Sequence, residues 1–205
     1  MTTSTTSEAL SVRYCYAATL HEKPVLQDTM FRDRAAQFQV RRGWDVTVDP
    51  HTGWEQDQYD TPEVNPLYVI IQDEQGRHVA SCRLLPTDGR TMLEEIFPHL
   101  TPNGPFRSPL VWECTRFCLS PSSNKRADAG RLLLRASLEL GMMAGATQAV
   151  AVFDAPMIRV YRGLGCPPEV LGTQDGISAG VWNANEELRE TLAKLGPAPK
   201  TAPDN

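Results

Sequence analysis

The stretch LYVIIQDEQGRHVASCRLL (67–85) decides the fold because it holds two apolar runs joined by a short polar turn. The runs at 67–73 and 77–85 are rich in β-branched and other apolar residues, and the turn at 74–76 ends in glycine. Two such runs separated by a few residues that include Gly are typical of a β-hairpin. The sequence therefore predicts an antiparallel pair of strands in the first half of the chain.

The regions around the hairpin extend it into a larger sheet. Before residue 120 the sequence predicts a strand at 11–20, a helix at 25–42, a short helix at 92–97 and a strand at 110–119. After it come a helix from a cap at 122–124 to 143, a strand at 147–153, a helix at 155–165, a strand at 177–182 and a helix at 183–195. This order favours an α/β (α+β) fold, a three-layer α/β/α sandwich with a mixed central sheet.

Length and composition indicate one globular domain. The chain has 205 residues, of which 41% are hydrophobic and 22% are charged, as is usual for a single soluble unit. We expect a disordered N-terminus at 1–10, the domain at 11–195 and a flexible tail at 196–205.

Charge and apolar patterning argue against nucleic acid and membrane partners. The net charge of −5 supplies no basic stripe for a phosphate backbone. No apolar run approaches the roughly 20 residues that span a bilayer, and the N-terminus lacks the features of a signal peptide. We therefore expect a cytoplasmic protein with no stable membrane association.

The cysteines and histidines predict neither disulfides nor a metal site. The five cysteines are odd in number and include no C-x-x-C pair. The four histidines are scattered along the chain, which is unlike the ligand spacing of zinc sites. We expect buried, reduced thiols.

A second stretch, WEQDQYD (54–60), places three carboxylates within six residues of an acidic chain: Glu55, Asp57 and Asp60. It has neither a helical nor a strand period. Either this loop is simply solvated, or a cationic group lies on it.

Arginines recur on the predicted elements. Arg34, Phe38 and Arg41 share one face of the first predicted helix, because they are four and three residues apart. Arg83 lies on the second strand of the hairpin. An arginine on a core-facing surface requires an acid partner.

The stretch WECTRF (112–117) adds one acid and one arginine. A period of two places three side chains on one face of this strand, Trp112, Cys114 and Arg116, and three on the other, Glu113, Thr115 and Phe117. A β-bulge would alter that division. The acids and arginines together form either a framework of ion pairs or a set that a ligand completes.

These motifs, in this order, resemble the acyl-homoserine-lactone synthases, the LuxI-type autoinducer synthases of quorum sensing. The patterns are R-x-x-x-F-x-x-R-x-x-W at 34–44, E-x-D-x-Y-D at 55–60, S-x-R-L-L-P-T at 81–87, M-L-x-x-x-F-P-x-L at 92–100 and W-E-x-x-R-F at 112–117. The resemblance is dense over 30–119 and continues more thinly to about 183.

The resemblance implies an acyltransferase reaction on a fold similar to that of the GNAT-type N-acetyltransferases. In this family the amine of S-adenosylmethionine attacks an acyl thioester carried on acyl carrier protein or coenzyme A. The methionine carboxylate then closes the lactone and releases methylthioadenosine. S-adenosylmethionine is a substrate, so the resemblance implies no separate cofactor and no metal.

The resemblance also implies roles for individual residues. The catalytic group comprises Glu113, Arg116, Asp57 and Asp60. Glu113, directly or through a water, is the candidate general base, and the acid cluster of the loop is the competing candidate. The side chains expected to bind S-adenosylmethionine are Arg34, Phe38, Trp44, Glu55 and Arg83, with the acidic loop holding the cationic part of the substrate.

The acyl chain and its carrier are expected to contact the second half of the chain. Val150, Val152 and Phe153 correspond to the family segment that lines the acyl pocket, where some members have a threonine that binds a 3-oxo group. We therefore expect an unsubstituted, branched or aromatic acyl group, although a plain core strand fits the same residues. Arg159 and Arg162 are either a dock for an acidic carrier protein or ordinary surface charge.

Two other functions remain open from the sequence. Another acyl-CoA-dependent N-acyltransferase would be expected to show a Q/R-x-x-G-x-G/A loop, but Arg126 is followed three residues later by Ala129. A non-catalytic metal- or nucleotide-binding module would use the acids of WEQDQYD, which lack the spacing of a calcium loop.

Overall fold

The computed structural model describes residues 9–196 and 198–202. Within them lies a seven-stranded sheet made of β1 Ser11–Tyr16, β2 Leu67–Gln72, β3 His78–Pro86, β4 Val111–Leu119, β5 Gln148–Asp154, β6 Glu169–Gln174 and β7 Ile177–Asn183. The helices are α1 Pro24–Ala35, α2 Met92–Glu95, α3 Arg126–Met143, α4 Ala155–Gly163 and α5 Glu186–Ala193. Short 3-10 turns lie at Leu20–Glu22 and Pro98–Leu100.

The sheet is mixed, as predicted, and its strand order is β1-β2-β3-β4-β5-β7-β6. All neighbouring strands are antiparallel except β4 and β5. The parallel ladder between those two strands ends at the pair Glu113 and Val150. Beyond that pair β4 continues along β3 and β5 continues along β7, so a gap opens in the sheet, which we call the sheet gap.

Helices cover both faces of the sheet, which confirms the three-layer sandwich. On one face, Met30 and Phe31 of α1 pack against Ile70 of β2. On the other face, Leu133 of α3 packs against Val69, and α4 and α5 pack beside α3. The apolar run of β2 is buried from both sides because the two layers sandwich it.

The first helix ends in a π-helical turn, Ala36–Arg41. The amide of Arg42 donates to the carbonyl of Gln37 at 3.1 Å, five residues earlier. Because a π-turn holds more residues than an α-turn, the shared helix face predicted for Arg34 and Arg41 is lost. Arg41 is exposed and donates to the Gln37 side chain at 3.0 Å, so its predicted place among the buried arginines was wrong.

A β-bulge in β4 overturns the predicted division of WECTRF. The backbone of Arg116 is left-handed, with φ 52°, and the ladder with β3 shifts register at that level. Phe117 therefore packs on the α3 face with Trp112 and Cys114, while Arg116 turns toward the α1 face, where it reaches Glu55. A bulge adds one residue to a strand and so reverses the faces that follow it.

Other elements differ from the prediction at their ends. Strand β6 was not predicted, because EVLGTQ has no alternation of buried and exposed positions. Helix α3 begins at Arg126 without a side-chain cap; Ser123 instead accepts from the amide of Lys125 at 3.1 Å.

Part of the segment predicted as a flexible tail is paired with the sheet. Thr201 forms a parallel bridge with Val12, and the flanking bonds, Val12 to Lys200 and Ala202 to Val12, are both 2.8 Å. Ala202 is buried. Pairing with the open edge of β1 satisfies backbone groups that a free tail would leave to water. The predicted disordered residues 1–8 and the last residues, 203–205, lie outside the described residues.

No helix in the described part of the chain has the length and hydropathy needed to cross a membrane. The five cysteines are free thiols; four are buried and Cys114 is half-buried. The predicted burial of the thiols is confirmed for four of the five.

Candidate active site

Three acids and three arginines on the α1 face form a closed ring of ion pairs. Each arginine contacts two acids, and each acid contacts two arginines. In order around the ring the members are Glu55, Arg34, Asp60, Arg83, Asp57 and Arg116. We call this arrangement the ion-pair ring; its formal charges sum to zero.

Arg34 and Arg83 hold the buried side of the ring. Arg34 donates from Nε to Glu55 at 2.6 Å and from both terminal nitrogens to Asp60 at 3.1 and 2.7 Å. Arg83 donates to the two oxygens of Asp57 at 2.5 and 3.0 Å and lies 3.0 Å from Asp60. Two-bond contacts of this kind fix both direction and distance.

Arg116 closes the ring. Its Nε donates to Oε1 of Glu55 at 3.0 Å, and its Nη2 lies 2.8 Å from Oδ2 of Asp57. The bulge described above gives Arg116 this direction, because a regular strand would point it at the α3 layer.

The loop WEQDQYD is folded onto itself rather than solvated. The amide of Glu55 donates to the carbonyl of Phe31 at 3.2 Å. The amide of Asp57 donates to Asp60 at 3.0 Å, and the amide of Tyr59 donates back to Asp57 at 2.9 Å. These bonds direct the carboxylates of the loop inward toward the arginines.

Only one part of the ring faces solvent. The side chains of Arg34, Glu55, Asp60 and Arg83 are 0–1% exposed, whereas Arg116 is 11% and Asp57 is 13% exposed. We call Asp57 and Arg116 the open corner. The open corner is the part of the ring that solvent reaches, and the four buried members support it from behind.

The arginines of the ring keep Asp60 ionised. Burial by itself would raise the pKa of Asp60, but Arg34 and Arg83 outweigh burial and hold that pKa well below its usual range. The pKa of Arg34 is raised well above its ordinary value because Asp60 and Glu55 outweigh the effect of its burial.

Glu113 lies beside the ring and has a different environment. It is fully buried, and its carboxylate accepts from the backbone amides of Met92 at 2.9 Å and Leu93 at 2.6 Å. Burial raises the pKa of Glu113 to about 7, against the opposing effect of those two amides. A carboxyl group with a pKa near neutral is suited to proton transfer.

Two aromatic rings stand next to the open corner. Phe38 and Trp44 are stacked with centroids 5.3 Å apart, and the Arg116 guanidinium lies 5.7 Å from the Phe38 centroid. Phe38 is buried, whereas Trp44 is 40% exposed. A flat, partly exposed ring of this kind can stack on another planar group.

The three residues predicted for the acyl pocket lie on two faces of the sheet. Val150 and Val152 pack on the same face as Leu93, whereas Phe153 packs on the opposite face with Tyr161 and Trp182, at centroid distances of 5.4 and 6.0 Å. Successive side chains of a strand alternate, so these three residues do not line one surface. Arg159 and Arg162, the predicted carrier dock, are exposed on α4.

Three residues outside the ion-pair ring contact its members and were not predicted from the sequence. Tyr68 donates to Asp60 at 2.7 Å, Thr115 accepts from Nε of Arg83 at 2.9 Å, and the sulfur of Met92 lies 3.3 Å from Arg83 and 3.5 Å from Arg116. A tyrosine hydroxyl in the apolar run LYVII was the one available signal, because a buried hydroxyl needs a partner.

Comparison with known proteins gives consistent matches. Residues 17–184 match the family described as autoinducer synthase. An acyl-homoserine-lactone synthase from Rhizobium etli is 37% identical over 180 residues, which cover 82% of this chain and 84% of that protein. One from Aeromonas salmonicida is 34% identical over 167 residues and covers 78% of each chain.

Solved structures of acyl-homoserine-lactone synthases are also similar to this chain. The CoA-dependent acyl-homoserine lactone synthase MesI is 26% identical, with a TM-score of 0.75 over 89% of this chain and 93% of that one. TofI, solved in a ternary complex with an inhibitor and MTA, is 27% identical, with a TM-score of 0.74 over 91% and 99%. An acyl-CoA N-acyltransferase from Pseudomonas aeruginosa, 12% identical with a TM-score of 0.55 over 84% and 99%, shares the fold alone.

Proposed function

The chain belongs to the autoinducer synthase family and is an acyltransferase, and we propose that it makes an acyl-homoserine lactone from S-adenosylmethionine and an acyl thioester. The amine nitrogen bonds to the thioester carbonyl carbon, and the C–S bond breaks to release the thiol. The methionine carboxylate then displaces the sulfonium sulfur, which leaves as methylthioadenosine. Of the three ammonium protons, one stays on the amide nitrogen, one protonates the departing thiolate and one is released to solvent. The lactone, the thiol, methylthioadenosine and that proton account for every atom of both substrates.

The open corner is the observation that carries this proposal. The amino-acid end of S-adenosylmethionine has an ammonium and a carboxylate, and Asp57 and Arg116 offer the two opposite charges 2.8 Å apart at the exposed part of the ring. A ligand that pairs its ammonium with Asp57 and its carboxylate with Arg116 adds no net charge to the ring. Arginines match the acids of the loop one to one, so we propose a site for the zwitterionic end of the substrate rather than for its cationic part alone.

The remaining predicted residues support that corner. Arg34, Glu55 and Arg83 are buried, so we assign them to holding Asp57 and Arg116 in place rather than to direct contact. We propose that Trp44, which stacks on Phe38, stacks on the adenine ring with its exposed face. The five side chains predicted to bind S-adenosylmethionine all stay in the proposed site. Three of them support the open corner and two form the aromatic surface.

Glu113 is our candidate for the general base. Each acid of the ring is already paired with two arginines, and the pKa of Asp60 is held well below its usual range, whereas Glu113 has a pKa of about 7. Each carboxylate oxygen of Glu113 accepts a hydrogen bond from a backbone amide. We therefore propose that the amine proton reaches Glu113 through a water molecule.

Two features bear on the acyl donor. Val150 and Val152 lie on the same face of the sheet as Leu93, whose amide binds Glu113, and they offer no hydroxyl for a 3-oxo group. We keep the proposal of an unsubstituted, branched or aromatic acyl group. MesI is CoA-dependent, while Arg159 and Arg162 lie three residues apart on exposed turns of α4, so both coenzyme A and acyl carrier protein remain donors to test.

Mass spectrometry of the purified enzyme tests the proposal. The reaction contains S-adenosylmethionine and a panel of acyl thioesters of coenzyme A and acyl carrier protein, with and without a 3-oxo group. Methylthioadenosine and an acyl-homoserine lactone in equal amounts are the expected products. An acylated S-adenosylmethionine that never lactonises would instead identify a simple N-acyltransferase.

A further inference from the structure

The sheet gap is crossed on the α1 face by one helical turn. Residues 36–42, which we call the bridging turn, follow α1 and include the π-helical segment Ala36–Arg41. Their backbone is held by the bond from the Arg42 amide to Gln37 at 3.1 Å and from the Trp44 amide to Phe38 at 2.9 Å. Single π-turns are frequent at functional sites.

The bridging turn is attached to both strands that border the gap. On the β4 side, the Phe38 ring lies 5.7 Å from the Arg116 guanidinium. On the β5 side, Arg42 donates from Nη1 to Oδ2 of Asp154, a residue 112 positions later in the chain.

The two attachments both lie beyond the last pair of the parallel ladder, on opposite sides of the gap. Arg116 is three residues past Glu113 on β4, and Asp154 is four residues past Val150 on β5, where Glu113 and Val150 are the last paired residues of the parallel ladder. Asp154 points to the α1 face because it alternates in phase with Val150. The turn therefore closes the gap from strand to strand.

The β5 attachment is the weaker of the two. Arg42 is 31% and Asp154 is 18% exposed, and exposed ion pairs are screened by water and contribute little. The β4 attachment continues into the buried ion-pair ring through Arg116. We therefore expect the Arg42–Asp154 contact to open more readily than the β4 attachment.

We propose that Arg42 and Asp154 form a latch that holds the bridging turn over the sheet gap and that opens to admit the acyl donor. The inference rests on the proposed function, because that reaction brings a thioester to the gap beside Glu113. The latch is expected to affect binding of the acyl donor and not binding of S-adenosylmethionine. The closed state competes with donor binding. The apparent affinity for the donor therefore equals the affinity of the open state multiplied by the fraction of molecules that are open.

The first test is steady-state kinetics with Arg42→Gln, Asp154→Asn and the charge swap Arg42→Asp/Asp154→Arg. The donor is an acyl-pantetheine thioester, which lacks phosphate, so that altered charge does not act on the donor itself. We expect each single variant to lower the donor KM by about fivefold or less, and the charge swap to restore it. The affinity for S-adenosylmethionine, measured by calorimetry, should stay within twofold of the wild type.

Arg189→Gln is the matched control, because it removes another exposed ion pair, with Glu186 on α5. It should leave the donor KM unchanged. A donor KM that is unchanged or raised in the single variants overturns the latch. A charge swap that behaves like the single variants also overturns it, because the effect would then not come from pairing.

Hydrogen exchange of residues 36–44 separates the latch from the proposed function. Both single variants should exchange faster there than the wild type, and the charge swap should return to the wild-type rate; equal rates in all four proteins overturn the latch. Absence of methylthioadenosine from the wild type with every donor overturns the proposed function instead, and the exchange result still decides the latch.

Discussion

Arg116 donates from Nε to the carboxylate of Glu55 at 3.0 Å, across 61 positions of the chain. The contact exists because the Arg116 backbone has a φ of 52°, a conformation that non-glycine residues adopt rarely. The strain is local and is offset by two ion pairs, one to Glu55 and one to Asp57. A bulge next to a functional site commonly redirects one side chain in this way.

Asp57→Asn is expected to weaken S-adenosylmethionine binding by at least tenfold. The amide keeps the shape but removes the charge that binds Arg83 and Arg116 and that is proposed to face the ligand ammonium. Hydrogen bonds to charged groups are worth about 1.5–3 kcal/mol. Calorimetry measures the affinity, with Glu186→Gln on α5 as the control. Unchanged affinity in Asp57→Asn would exclude the open corner as the binding site.

Asp60→Asn is expected to destabilise the fold by about 3–5 kcal/mol, because it leaves Arg34 and Arg83 buried with an unbalanced charge. Urea unfolding gives the free energy directly. A loss below about 1 kcal/mol would show that the ring contributes no more than a surface pair.

Acid should destabilise the wild type through the same residue. The folded pKa of Asp60 lies below its unfolded value, so its contribution is present above the ordinary aspartate pKa of about 4 and is lost as pH falls below it. Unfolding measured between about pH 5 and pH 2 should show this decline. In Asp60→Asn the decline should be shallower, and an equal slope in both proteins would assign it to other carboxylates.

Glu113 should give the opposite dependence at higher pH. Its folded pKa of about 7 lies above its unfolded value, so the folded state binds the extra proton, and the free energy of unfolding decreases as pH rises from about 4.5 to about 7. Glu113→Gln should remove this decrease. The measurement is chemical unfolding at several pH values, and a wild-type curve that is flat over that range would contradict the raised pKa.

The rate of acylation should depend on the same group. A general base must be ionised, so kcat/KM is expected to fall about tenfold per pH unit below a pKa near 7. Glu113→Gln should lose most of the rate, by about 100-fold or more, and show no such break. Near wild-type turnover in a folded Glu113→Gln protein would remove Glu113 from this role.

Gly172→Ala should destabilise the fold. A Cβ at Gly172 would lie 2.6 Å from the backbone oxygen of Leu100, which has no side-chain freedom to move away, and overpacking of this kind costs about 1–3 kcal/mol. Gly163→Ala is the control, because a Cβ there meets nothing within 4 Å. Thermal unfolding should show a lower Tm for Gly172→Ala than for Gly163→Ala, and equal values would contradict the close approach.

The sequence by itself determined the order of most elements and supplied the acids and arginines from which the ion-pair ring is built. The hairpin 67–85 and the alternation after residue 120 predicted the mixed sheet, because local hydrophobic periods reflect the faces of strands and helices. The unmatched acids and arginines on apolar elements predicted an ion-pair set, because charges on such elements need partners. Strand β6 escaped prediction because its exposed edge position imposes no such period.

Only the tertiary structure decided which charges meet. The π-turn after Ala35 excludes Arg41 from the ring, and the bulge at Arg116 brings that side chain in. Both are single-residue changes of backbone phase that leave no periodic signal in the sequence. The pairing of Arg42 with Asp154 depends on where two distant segments are packed, and packing of the whole sheet, not local propensity, fixes that distance.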